Sequence, residues 1–298
     1  AKHSVYNVML ALLNPGDEVI IPAPYWVSYP QQANLLSAKS VVVPTSYESQ
    51  YKITPEQLES AITEKSKLLI LNSPSNPTGM VYTRSELEAL AVVIEKHGLY
   101  VMSDEIYEKL IYEGEIISIA SISEAMKALT IVVNGVSKAY SMTGWRVGYT
   151  ASALPIAKAM SKMQSHMTSN PTSISQWASL EALQGPQEIL EVMGAAFKKR
   201  RDIMMAAFEK MPGISCIQPQ GAFYVFPKIS ETFGKSSPSG PITDSVSFCE
   251  RLLTDEQVAC VPGAGFGEDS CMRLSYATSE DAIDDGLARL ERFLLSLQ

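Results

Sequence analysis

Three polar residues follow short apolar runs closely, and one of them, a lysine, could act as a nucleophile towards a carbonyl compound. Asn76 lies in Ser73-Pro74-Ser75-Asn76-Pro77-Thr78-Gly79, behind the run 68–72 (LLILN). Asp104 follows 100–103 (YVMS), and Lys138 lies in Gly135-Val136-Ser137-Lys138, behind 131–134 (IVVN). A partly buried lysine has a depressed pKa and acts as a nucleophile towards carbonyls. A carboxylate at such a place needs a partner that offsets its desolvation. Two arginines extend the set. Arg146, in Met142-Thr143-Gly144-Trp145-Arg146-Val147-Gly148-Tyr149, stands behind a glycine turn at an expected strand start, where a guanidinium suits a phosphate. Arg273, inside the apolar run 272–276 (MRLSY), calls for an anionic partner. Each residue also has a plainer reading. Asn76 fits an ordinary turn, Asp104 a helix cap, Lys138 a surface lysine, Arg146 a salt bridge to a neighbouring helix, and Trp26, after the run 18–21, a core position.

The elements that must hold these residues are legible as an alternation. Short β-branched runs at 18–21, 40–43, 68–72, 100–103, 131–134 and 146–150 are separated by helical patterns at 54–61, 83–96 and 121–128. Continuous apolar strands between helices predict an α/β fold with a mostly parallel sheet covered on both faces. Ligands of such sheets bind beyond the carboxyl ends of the strands, so Asn76, Asp104 and Lys138 are brought to one rim. Thr54-Pro55-Glu56-Gln57 and Thr83-Arg84-Ser85-Glu86 carry helix-start signals. Long helices follow at 154–167, 174–183 and 186–210, and the basic run Lys198-Lys199-Arg200-Arg201 reads as a solvated face. From residue 214 the pattern resets, with strands at 221–226 and 272–276 and helices at 245–253 and 279–295. The division expected is a large domain over 1–195 and a smaller α/β domain over 196–298, with 230–241 a flexible surface loop.

Composition excludes several function classes. The chain has 298 residues, 46% hydrophobic and 19% charged, which is a folded globular composition with room for two domains. Lys and Arg total 24 against 32 Asp and Glu, a formal charge of −8, which argues against sequence-independent binding to nucleic acid. No run reaches the roughly 18 apolar residues of a membrane span, and the start lacks a leader pattern, so neither membrane nor export is expected. The four cysteines form no C-x-x-C pair and read as free thiols in a reducing cytoplasm. His3, His97 and His166 are too scattered for a His-based metal site, so no metal is expected. The opening Ala1-Lys2-His3 runs straight into a helical pattern at 4–13, and a missing N-terminal portion is expected.

Taken together, SPSNPTG (73–79), SDEIY (103–107), SKAYSMTGWRVG (137–148), GAFYVF (221–226) and MRLSYA (272–277) resemble the class I (fold type I) pyridoxal-phosphate-dependent aminotransferases. Within them the resemblance is to the bacterial aspartate/prephenate aminotransferase subgroup, and it runs the length of the chain. It implies a three-layer α/β/α large domain with a smaller C-terminal α/β domain, and pyridoxal 5′-phosphate as cofactor. It also implies ping-pong transamination between an acidic amino acid, of the aspartate, glutamate or prephenate/arogenate type, and a 2-oxo acid. By the same resemblance Lys138 carries the cofactor as an internal aldimine and shuttles the proton. Asp104 pairs with the pyridinium nitrogen, which keeps the ring an electron sink. Asn76 and Tyr107 hydrogen-bond the phenolic oxygen, and Trp26 stacks on the ring. Ser137, Arg146 and the backbone around Ala1 and Lys2 hold the phosphate at a helix N-terminus. Arg273 grips the substrate α-carboxylate, and Lys2 helps bind a distal one; Trp26 and Asn76 also face the substrate. The family's homodimer, with a tyrosine from the partner and an N-terminal closing segment, implies weak or no turnover for a chain lacking the front. Two alternatives carry other expectations: a non-catalytic regulatory domain of the same fold, and a pyridoxal-phosphate-dependent β-lyase.

Overall fold

A computed structural model describes residues 1–298. The chain opens with α1 (Lys2–Leu12), β1 (Glu18–Ala23), α2 (Ser28–Leu35), β2 (Lys39–Pro44), α3 (Pro55–Ala61) and β3 (Ser66–Asn72). It continues through α4 (Arg84–His97), β4 (Tyr100–Asp104), α5 (Glu124–Leu129), β5 (Thr130–Gly135) and β6 (Gly148–Ala151). The six strands form one sheet in the order β2-β1-β3-β4-β5-β6, parallel throughout except for β6, which runs antiparallel at the edge. Successive strand side chains point to opposite faces, and both faces are apolar here. Val19, Ile21, Leu68, Ile70 and Val133 pack with Val5 and Val8 of α1 and Tyr29 of α2. Ile20, Leu69, Leu71 and Val101 pack with Leu58 of α3 and Leu90 of α4. This is the doubly covered sheet expected, and it places the ends of β3, β4 and β5 side by side.

Local signals placed the helix starts well. Thr54 and Thr83 each close a capping box, with Gln57 and Glu86 respectively, and Gly98 ends α4 in the left-handed region that suits glycine. The short α2 has no side-chain cap and was not anticipated; it is held by burial of Tyr29, Gln32 and Ala33. Arg146 does not start a strand. It sits in a turn at φ 56°, and β6 begins only at Gly148.

The remainder consists of α6 (Leu154–Met167), α7 (Ser173–Gln184), α8 (Glu188–Phe208), β7 (Tyr224–Val225), β8 (Ser236–Ser237), β9 (Gly240–Pro241), α9 (Ser245–Glu256), β10 (Val261–Pro262), β11 (Met272–Ser275) and α10 (Glu280–Ser296). The antiparallel sheet β10-β11-β7 is covered by Phe197 and Met204 of α8, Phe248 and Leu252 of α9, and Leu287 and Leu290 of α10. Ile106, Tyr107 and Leu110, from the segment after β4, enter the same core. α8 runs unbroken across residues 195 and 196.

Two expectations are corrected here. The segment 230–241 is not a free loop. It holds a 3₁₀ turn with Thr232 fully buried and the β8–β9 hairpin, and Ser236 exchanges backbone hydrogen bonds with Gln298. Nor is the whole basic run solvated. Arg201 is 1% exposed, and its guanidinium donates to Glu113, Asp202 and the Pro219 carbonyl. These three partners, two of them far off in sequence, satisfy a charge that burial would otherwise penalise.

The loop 73–79 meets residues 219–221 at Gly79. Its φ is +71°, and a Cβ there would stand 2.6 Å from Pro219 Cβ and 2.7 Å from the Gly221 carbonyl oxygen. Gly79→Ala should therefore lose more than the roughly 1–2 kcal/mol of a left-handed non-glycine residue, because backbone atoms must also shift. A urea midpoint by circular dichroism equal to that of the unsubstituted chain would contradict this.

Candidate active site

Beyond the carboxyl ends of β3, β4 and β5 lies a cavity of about 380 Å³. All ten residues singled out from the sequence line it: Ala1, Lys2, Trp26, Asn76, Asp104, Tyr107, Ser137, Lys138, Arg146 and Arg273. They come from six stretches of the chain.

Asp104 ends β4 and is 4% exposed. Its Oδ2 accepts from the Tyr29 hydroxyl at 2.7 Å and its Oδ1 from the Ile106 N–H at 3.3 Å. Burial raises its pKa; the two hydrogen bonds and Lys138 offset this only in part. A cation or N–H donor inside the cavity would complete the offset. Asn72, the last residue of β3, donates to the Asp104 carbonyl at 2.9 Å and accepts from the Asn76 N–H at 2.7 Å. It thereby fixes the loop bearing Asn76 against the end of β4.

Lys138 follows β5, and its ammonium stands 5.2 Å from the Phe223 ring and 5.8 Å from that of Tyr107. Burial lowers its pKa, the nearby Arg273 and Arg146 charges act the same way, and Asp104 opposes them. The amine is thus biased towards the neutral, nucleophilic form. The Tyr107 hydroxyl lies 3.1 Å from that of Tyr224, and burial carries the Tyr107 pKa well above the usual phenol range.

Arg273 departs from expectation. No carboxylate of this chain pairs with it. Its Nη1 donates to Asn76 Oδ1 at 2.8 Å, while its guanidinium lies 4.5 Å from the Tyr224 ring and 4.9 Å from the Phe266 ring. Its buried Nε has no hydrogen-bond partner. Aromatic faces and one amide tolerate the guanidinium without neutralising it, so its charge is left for an anion.

At the other side, Ala1 caps α1. A Cβ at Gly148 would come within 2.5 Å of Ala1 Cα, so glycine there lets the start of α1 lie against β6. The half-buried Ser137 and the exposed Arg146 border the same spot, and Arg146 Nη1 donates to the Thr143 carbonyl at 2.7 Å. The Lys2 ammonium stands 5.0 Å from the Trp26 ring, which meets Tyr29 edge-on. Tyr29, Asn72, Tyr224 and Phe266 contact these residues, and the sequence assigned them no role. Three of them lie in or beside segments already singled out, but which side chains face the cavity is set by long-range packing.

Sequence comparison identifies the family. The profile of the family "Aminotransferase class I and II" covers residues 1–290. The chain belongs to that aminotransferase family. It is 50% identical over 295 residues to the aspartate aminotransferase of Bacillus sp. strain YM-2, covering 99% of this chain and 74% of that one. It is 48% identical over 299 residues to the aspartate/prephenate aminotransferase of Cereibacter sphaeroides, covering 99% and 75%. The crystal structure of the aspartate aminotransferase from Rhizobium meliloti superposes with a TM-score of 0.97 at 41% identity, over 100% of this chain and 75% of that chain.

This aminotransferase is therefore a pyridoxal-phosphate-dependent transferase on the aspartate aminotransferase fold. The regulatory-domain and β-lyase alternatives draw no support from these relatives. The residues present fit the cofactor: a lysine biased towards its neutral form, a buried carboxylate short of compensation, and an arginine beside a helix N-terminus. No helix of the chain is long and apolar enough to cross a membrane.

Proposed function

We propose that this aminotransferase exchanges the amino group between an acidic amino acid and a 2-oxo acid. The observation that carries the substrate reading is that two cations without a carboxylate partner, Arg273 beside Asn76 and Lys2 beside Trp26, line one cavity. The naming of the Bacillus and Cereibacter enzymes for aspartate and prephenate supports it. Each cation would take one carboxylate of a dicarboxylic substrate, Arg273 the α-carboxylate and Lys2 the distal one.

When bound, pyridoxal phosphate supplies an electron-withdrawing ring that stabilises negative charge at the substrate Cα. Lys138 Nζ would hold the cofactor covalently and then move the proton at the reacting carbon. The Asp104 carboxylate, already oriented by Ile106 and Tyr29, would keep the ring nitrogen protonated. Asn76 and Tyr107 would donate to the ring oxygen, and Trp26 would cover the ring. Ser137, Arg146 and the backbone of Ala1 and Lys2 would take the phosphate. Residues 1–195 then constitute the large domain and 196–298 the small one. A cytoplasmic homodimer completes the reading.

The test is an assay of the chain with aspartate and 2-oxoglutarate, following both keto-acid-dependent turnover and ammonia release. Turnover without ammonia supports transamination, whereas ammonia release without a keto acid would return the β-lyase. Lys2→Met should raise KM for aspartate about tenfold, in line with one lost charge-assisted contact, and leave KM for a neutral amino acid unchanged. Equal changes for both would remove Lys2 from the specificity site.

The lowered Lys138 pKa has its own signature. A lysine whose folded pKa is depressed loses its proton at lower pH than a free side chain, so the neutral amine accumulates earlier as pH rises. The rate of cofactor capture, read as growth of the visible band, should rise with pH and level off at a midpoint below that of free lysine. A midpoint at or above the free value would contradict the environment described for Lys138.

A further inference from the structure

Tyr224 touches both ends of the site. Its hydroxyl lies 3.1 Å from that of Tyr107, and its ring lies 4.5 Å from the Arg273 guanidinium carbon. It is 6% exposed and lines the cavity itself. The two tyrosines arrive from different elements: Tyr107 from the segment after β4, Tyr224 from β7, which pairs through Leu274 and Ser275 with the strand that carries Arg273. Resting on the reading above, we infer that Tyr224 is a positioning residue, whose hydroxyl decides where the Tyr107 proton points and whose ring holds Arg273 at the height of Asn76.

The hydroxyl argument is one of counting. Two phenols that share one hydrogen bond have two arrangements, and in one of them Tyr224 donates to the Tyr107 oxygen. Only then is the Tyr107 proton free for an acceptor in the cavity. An electron-rich acceptor there selects that arrangement, and the Tyr224 donor strengthens the Tyr107 donation in turn. The ring argument rests on Arg273 itself. Its Nε is unpartnered and only Asn76 receives a hydrogen bond from it, so two aromatic faces supply most of what locates the charge. Removing one face lets the guanidinium drift from the α-carboxylate.

The test uses the chain loaded with pyridoxal phosphate, with Tyr224→Phe, Tyr224→Leu, Tyr107→Phe and the Tyr107→Phe/Tyr224→Phe double variant. The pH midpoint of the visible absorbance band reports the hydroxyl. Tyr224→Phe should raise it by about half a pH unit, because the ring oxygen loses part of a hydrogen bond and holds a neighbouring proton more tightly. In the Tyr107→Phe background the same change should add nothing, which a merely structural effect would not reproduce. Maleate binding by calorimetry reports the ring: Tyr224→Phe should stay within about twofold, and Tyr224→Leu should weaken it about fivefold or more. A wild-type band with an unmoved midpoint in Tyr224→Phe overturns the hydroxyl role, and an additive shift in the double variant does so as well. Unweakened maleate binding by Tyr224→Leu overturns the ring role. A wild-type chain that forms no band overturns the cofactor reading instead, so the two failures are distinguishable. Tyr224→Phe keeps ring and packing, and it decides the hydroxyl role even if Tyr224→Leu does not fold.

Discussion

Lys138→Ala should abolish covalent capture of pyridoxal phosphate. The visible band that borohydride fixes onto the unsubstituted chain should be missing, and transamination should fall by about 10⁴-fold or more, since nucleophile and proton carrier are lost together. The cavity provides no substitute. Lys2 is the other lysine lining it, and its ammonium is drawn towards Trp26. Neighbouring contacts made by Asp104, Asn72 and Tyr29 do not involve Lys138, so the variant should fold and still hold the cofactor noncovalently. Mass spectrometry after borohydride treatment checks the outcome directly. A cofactor adduct on Lys138→Ala at the unsubstituted level would remove Lys138 from the mechanism and leave the buried carboxylate without its counterpart.

The second large effect falls on binding and leaves cofactor capture in place. Arg273→Leu removes an unneutralised guanidinium that already donates to Asn76, and with it the charge that would receive an α-carboxylate. Loss of one member of such a charged pair is worth about 2–5 kcal/mol, so kcat/KM for acidic substrates should drop by roughly 30- to 5,000-fold. The absorbance band should persist. Arg273→Lys should recover little, because an ammonium cannot present a planar fork between two aromatic faces. Steady-state kinetics with aspartate and calorimetry with maleate check the two halves. If Arg273→Leu bound maleate like the parent, the α-carboxylate would have to be held elsewhere in the cavity.

Both predictions depend on residues that could be picked out before any coordinates, but for different reasons. Asn76, Asp104 and Lys138 stand near the ends of apolar runs, and a parallel sheet places such ends along one rim. Arg146 behind its glycine turn, Arg273 inside an apolar run and Trp26 after a strand also stood out locally, but only the family motifs gave them specific roles. Where local chemistry was misread, a distant partner was responsible. The basic run 198–201 has the pattern of a solvated helix face, yet Arg201 is buried by Glu113 and the Pro219 carbonyl, 88 and 18 residues away. The segment 230–241 has the composition of a loose loop, yet the last residue of the chain pairs with it.

By itself the sequence determined the alternation of strands and helices, the capping boxes at Thr54 and Thr83, and the rim that gathers the lysine and the carboxylate. These follow from interactions within a few residues, or from the two-residue and 3.6-residue periods of burial. The tertiary structure alone decided that Arg273 lies between two aromatic rings without a carboxylate, that Tyr29 orients Asp104, and that Tyr224 meets Tyr107. The partners in those contacts are 75 residues apart for Tyr29 and Asp104 and 117 apart for the two tyrosines. No local pattern records such a meeting, because it arises only when separately formed elements pack and each buried polar group must find the partner its desolvation demands.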